Sequence, residues 1–208
     1  ILYEECVPGY TIDELFKKGT QFSKKFVIKM ATALCNILKP IHNDNLIHRD
    51  ISPNNVMYSQ IEDKFYLIDF GNSRLNKINT PKDTVFAGTP IFMAPEQGGV
   101  GTQSDNRTDI YAIGMLMKFM LTKNTTDKKS KIRGRLGKII KKCTQSEMAS
   151  RYKNVDKLKF KLSMIKVDDF LFPFKMYLYI LIGVIFILPT IIAVFFDINN
   201  MIHMYTDI

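Results

Sequence analysis

Between Ser23 and Ile41 the apolar residues Phe26, Val27, Met30, Leu34, Ile37, Leu38 and Ile41 recur mostly three or four positions apart. That stripe predicts an amphipathic helix over 23–41, with Ser23 placed to cap its first turn by accepting a backbone N–H. Ahead of it, "TIDELFKK" (11–18) sets Thr11 three residues before Glu14. A hydroxyl and a carboxylate at that spacing can each accept a backbone N–H of the other residue, so a short helix is expected there. Two runs with strand character follow, 55–59 and 65–68, with a polar turn between them. "DIYAIGMLMKFML" (109–121) is apolar almost all round and predicts a buried helix. Residues 138–143 and 154–162 read as two further helices. Met and Phe in these stripes are core residues, and no internal repeat is present.

The C-terminal part has a different pattern. Residues 176–196, "MYLYILIGVIFILPTIIAVFF", contain no charged residue. A helix of that length spans the bilayer core with its backbone groups bonded within the segment, and Pro189 kinks it without forbidding it. Lys157, Lys159, Lys161, Lys166 and Lys175 precede the run, whereas Asp197 to Ile208 hold no Lys or Arg. The positive-inside rule then puts the N-terminal part in the cytoplasm, with Tyr177 and Tyr179 at the interface. The position excludes a cleaved signal peptide. The expected tail is a juxtamembrane stretch (166–175), a transmembrane helix (176–196) and an extracytoplasmic end (197–208), in a single-pass protein of the cell membrane. A chain that opens on Ile1 rather than Met reads as a piece of a longer one.

The 208 residues suffice for one ordinary domain besides that segment. The net charge of +9 suggests an anionic partner. The lysines are scattered through helical stretches without aromatic interleaving, so nucleic acid is not expected. The basic run 123–142 reads as solvated surface, or as a face toward anionic lipid. Cys6, Cys35 and Cys143 are odd in number and far apart, which argues for buried thiols in a reducing compartment and against a disulfide framework or a zinc site.

Candidate chemistry lies in "IHRDISPNNVM" (47–57) and in "IDFG" (68–71) beyond the next hairpin. Asn55 and Asp69 offer two oxygen ligands and Asp50 a third carboxylate. That set suits a hard cation that also holds phosphates, such as Mg²⁺. A carboxylate outside the metal shell can accept the proton of an attacking hydroxyl. The Gly98–Gly101 run "GGVG" is not a phosphate loop, because no strand leads into it. His42 reads as a structural residue at a helix end, and His203 in the tail carries no signal.

These stretches together resemble the protein kinases. "HRDISPNN" is similar to the catalytic loop H-R-D-x-x-x-x-N, and Asp69–Gly71 to the metal-binding D-F-G. "GTPIFMAPEQ" (88–97) resembles the end of the activation segment, "DIYAIG" (109–114) the start of the central buried helix, and "KKCTQSEMASRY" the late region that supplies an Arg. "YEECVPGYTIDEL" resembles the hinge and the helix after it. The motifs stand in the family's order over 1–165. The fold expected is mainly α: a kinase C-terminal lobe with short β-hairpins, its N-terminal lobe missing, followed by one transmembrane helix. An anchor placed after the lobe is similar to bacterial membrane-anchored serine/threonine kinases.

The resemblance implies a transfer of the ATP γ-phosphate to Ser or Thr of protein substrates, with ATP and Mg²⁺ as cofactors and a homodimer allowed. Asp50 would be the catalytic base, and Asn55 and Asp69 would hold Mg²⁺ with the nucleotide. Glu5 and Val7 would offer backbone groups to the adenine. Arg49 would pair with a phosphorylated activation-segment residue, Thr80 or Thr84, and Thr89 would face the substrate. Glu96 and Arg151 would form an ion pair, Asp109 would hold the catalytic-loop backbone, and His48 and Phe70 would pack. Three departures stand out. One is the short, polar stretch between Leu121 and Leu136, where the family usually has another helix that receives substrates or partners. The glycine-rich loop and its Lys are missing, so the 208 residues by themselves are expected to be inactive. Ser52 takes the place of the usual Lys two residues after the catalytic Asp. The alternative is an inactive pseudokinase serving as a membrane-tethered binding module.

Overall fold

A computed structural model describes residues 8–75, 89–98, 103–122, 132–192 and 194–195. Glu5, Val7, Thr80 and Thr84 lie outside the described residues, as do Cys6 and the end 197–208. The chain divides into two compact units, Ile1–Ser163 and Met164–Ile208.

The first unit is built on two helices. α2 (Lys24–Asn43), which follows α1 (Ile12–Lys17), begins where Ser23 Oγ accepts the N–H of Phe26 at 3.1 Å. Its apolar stripe buries Val27, Ile28, Met30, Ala31, Leu34, Cys35 and Leu38. It continues past Pro40, which lacks the N–H that would close its own turn. α3 (Asn106–Thr122) starts three residues ahead of the expected 109 and buries Ile110, Ile113, Leu116, Met117 and Met120. Each such side chain stabilises the fold by about 1.5–3 kcal/mol. α3 packs against α2 and against α4 (Gly134–Cys143). Gly114 sets the spacing of that second pair, since a Cβ there would lie 2.5 Å from the Cβ of Cys143. Cys35 and Cys143 are buried free thiols, and burial pushes the Cys35 thiol up to about 12. Neither is a nucleophile near neutral pH.

β1 (Tyr10–Thr11), β3 (Val56–Ser59) and β4 (Lys64–Leu67) form an antiparallel sheet in the order β1-β3-β4, with Val56 opposite Leu67. Phe26 of α2 meets the rings of Tyr58 and Phe65 at 4.9 and 5.2 Å. α1 (Ile12–Lys17) carries the full capping box: Thr11 Oγ1 accepts the Glu14 N–H, and Glu14 Oε2 accepts the Thr11 N–H at 2.7 Å. β2 (Leu46–Ile47) pairs antiparallel with β5 (Arg74–Leu75). Of the short elements, β4 and β2 pack against α2. Two-residue strands such as β1, β2 and β5 have no period for a sequence to display.

The C-terminal helices differ from expectation. α5 runs from Val155 to Ile182 rather than ending near 162. A single α-helix over 176–196 is not found. α5 ends at Ile182, a π-helical turn occupies Gly183–Ile187, and helical turns resume at 188–192. Among the described residues no helix is long and apolar enough to cross a membrane. Pro189 accounts for the break: it cannot donate one turn back, and its ring presses on that carbonyl, so the ladder widens just ahead of it.

Candidate active site

Asp109, in the first turn of α3, anchors the loop between β2 and β3. Its Oδ2 accepts the His48 N–H at 3.0 Å and its Oδ1 the Arg49 N–H at 2.8 Å. His42, in the last turn of α2, brings Nε2 within 2.7 Å of Oδ2. Asp109 is fully buried, so these groups replace the water its carboxylate gave up. On the other side, Gln97 Nε2 donates to the Arg49 carbonyl at 2.8 Å. Held at both peptide groups, Arg49 adopts a left-handed backbone with φ 70°. A side chain bearing Cβ keeps that conformation only where its surroundings over-determine it.

Asp50 comes next and is half-buried. Its Oδ1 accepts both the backbone N–H and the hydroxyl of Thr89, each at 2.9 Å. Its Oδ2 accepts Asn72 Nδ2 at 3.1 Å. Asn55 Nδ2 donates to the Asp50 carbonyl at 2.8 Å, and the Asn55 carbonyl accepts the Ile68 N–H at 2.9 Å. Asp69 follows directly, exposed, with φ 61° and its Oδ1 accepting the Gly71 N–H at 3.0 Å. These bonds bring Asp50, Asn55 and Asp69 to one end of the β3–β4 hairpin.

His48 and Phe70 meet edge to face, with ring centroids 4.7 Å apart. Burial lowers the proton affinity of His48 against the opposing pull of Asp109, Asp50 and Asp69, so the ring packs as a neutral imidazole near neutral pH. Burial, and then the charge of Arg74, lowers that of Arg49. Glu96 and Arg151 form a two-pronged pair at 2.7 and 2.8 Å, joined by the Thr108 hydroxyl at 2.9 Å from Glu96 Oε1.

Four features of this arrangement escape a reading of the sequence: Asn72, Gln97, Arg74 and the pairing of His42 with Asp109. Asn72 directly follows Gly71 and Gln97 directly follows Glu96, so position relative to a motif was the available signal.

Among the described residues no group of three or more His, Cys, Asp or Glu side chains could hold a metal ion by itself. The donors present are Asn55 and Asp69, both offering oxygen, and of the Asn55 side chain only Nδ2 bonds within the described residues. Two oxygen donors fit Mg²⁺, which keeps water and phosphate oxygens in its other places.

The family model described as protein kinase domain matches residues 1–170. The chain belongs to the protein kinase family. It is 28% identical to serine/threonine-protein kinase B of Synechocystis sp. over 191 residues, 81% of this chain and 33% of that relative. With serine/threonine-protein kinase C of the same organism it shares 31% over 130 residues, 60% of this chain and 24% of the relative. With serine/threonine-protein kinase KIC1 of Saccharomyces cerevisiae it shares 34% over 125 residues, 60% and 11%. The chain therefore spans a third or less of each of these relatives. In the loop between β2 and β3 Ser52 is fully buried, and among the described residues its Oγ meets no hydrogen-bond partner.

Proposed function

We propose that the protein transfers the γ-phosphate of ATP to Ser or Thr hydroxyls of protein substrates. The observation that carries this reading is the Asp50 carboxylate, aimed by Thr89 on one oxygen and Asn72 on the other, with Asn55 and Asp69 at the same end of the β3–β4 hairpin. Asp50 accepts the hydroxyl proton as the oxygen attacks phosphorus. Asn55 and Asp69 hold Mg²⁺, which when bound neutralises charge building on the phosphates. Asp109 and Gln97 keep the loop from shifting while the proton moves. Arg49, with Arg74 beside it, receives a phosphate placed on the activation segment at Thr80 or Thr84, and Glu5 and Val7 meet the adenine. On this reading the glycine-rich loop and its Lys, which transfer requires, come from outside these 208 residues.

The kinase is held at the cell membrane through 176–196, with its lobe on the cytoplasmic side. The uncharged run and the lysines confined to its N-terminal side support this.

The test is phosphate transfer from labelled ATP to Ser/Thr proteins by the protein with its upstream sequence, against Asp50→Asn. Asp50→Asn should lower kcat by about 10²-fold or more while ATP binding persists. A second reading, a binding module without transfer, is favoured by buried Ser52 in place of Lys. It stands if the parent binds ATP and Mg²⁺ and never transfers phosphate.

A further inference from the structure

Asp50 lacks the neighbour that Lys would provide, because Ser52 is short, fully buried and turned to no partner among the described residues. Its carboxylate is nevertheless held on both oxygens. Each carboxylate oxygen has two acceptor sites. Thr89 fills both on Oδ1, with its N–H and its hydroxyl at 2.9 Å each. On Oδ2 the only donor among the described residues is Asn72 Nδ2, at 3.1 Å. One acceptor site on Oδ2 is left.

We infer that Asn72 is the positioning residue for the base. It fixes the plane of the Asp50 carboxylate and leaves Oδ2 as the atom that takes the substrate hydroxyl's proton. Without it the carboxylate pivots about its bonds to Thr89, and Oδ2 leaves the line of the incoming hydroxyl. Asn72 is half-buried beside the exposed Phe70–Gly71 turn, so its side chain is not part of the core. A neutral amide also adds no positive charge at the phosphate, unlike the ammonium that Ser52 replaces. This assignment rests on the proposed kinase reading for its catalytic meaning, but not for its geometry.

The test combines two readouts on the same protein. In ¹H–¹⁵N spectra, Asp50→Asn should move the Asn72 side-chain amide pair, and Asn72→Leu should move the Thr89 backbone amide. In Asn72→Leu the His48 and Arg49 amides, anchored on Asp109, should stay in place and certify the fold. In transfer assays, Asn72→Leu should lower kcat by about tenfold or more with KM for ATP unchanged, as expected when a reacting group is misplaced. Asn72→Asp, which keeps the shape and loses the donor, should do the same. Unmoved resonances overturn the inference whether or not the parent is active. So does an active parent whose Asn72→Leu variant keeps its kcat. A parent that transfers nothing but shows the amide shifts sinks the kinase reading and leaves the Asn72–Asp50 pairing intact.

Discussion

Glu96 and Arg151 meet as a two-pronged ion pair with almost no exposure on either side chain, although 55 residues separate them in the chain. The guanidinium also donates to the carbonyls of Gln145, Ser146 and Arg107, and lies 4.8 Å from the Tyr111 ring. One side chain thereby ties the segment before α3 to the loop that follows α4.

Arg151→Met should destabilise the first unit by about 3–5 kcal/mol, because it leaves Glu96 charged and uncompensated in the interior. The double variant Glu96→Met/Arg151→Met should lose clearly less, since both charges go together. Urea unfolding of the two variants beside the parent measures the difference.

Asp109→Asn keeps one acceptor oxygen where two N–H groups and His42 now converge. One loop N–H then stays buried and unpaired, at a cost of about 1–3 kcal/mol. Hydrogen exchange at the His48 and Arg49 amides should rise while amides of α2 stay protected. Equal protection in parent and variant would count against the anchoring role.

His48 gives a pH dependence with a definite sign. Burial holds its folded-state proton affinity below the ordinary value of 6.5. Above that value both folded and unfolded chains carry a neutral ring, and His48 adds no slope. Below it the unfolded chain takes up a proton that the folded chain resists, so stability falls as pH falls. Thermal melts from about pH 7.5 down to about pH 5 should show this decline, and His48→Phe should flatten it.

The proposed anchoring is tested with phospholipid vesicles containing anionic lipid. The whole chain should float with them and resist alkaline carbonate washing. Ile185→Asp together with Leu188→Asp, both at exposed positions, should abolish flotation. Release of the unmodified chain by carbonate would remove 176–196 as an anchor.

Much of the first unit is legible in the sequence because its signals are local. The Thr11–Glu14 box, the Ser23 cap and the stripe of α2 are each written within a few residues, and the elements form where those signals lie. The hairpin of β3 and β4 follows the two apolar runs and their polar turn. The same local logic fails at 176–196, where apolar character without periodicity does not reveal that the ladder widens at Gly183 before Pro189. It also misses β2 and β5, whose two residues each gain strand geometry only from one another.

By itself the sequence determined the order of helices, the hairpin and the family to which the motifs point, since caps, periods and short motifs involve neighbours along the chain. Tertiary structure alone decided who holds Asp50. Thr89 reaches it from 39 residues away and Asn72 from 22, and Asp109 grips the loop across about 60. Such bonds depend on distances that only the packed helices establish, and no local preference encodes them.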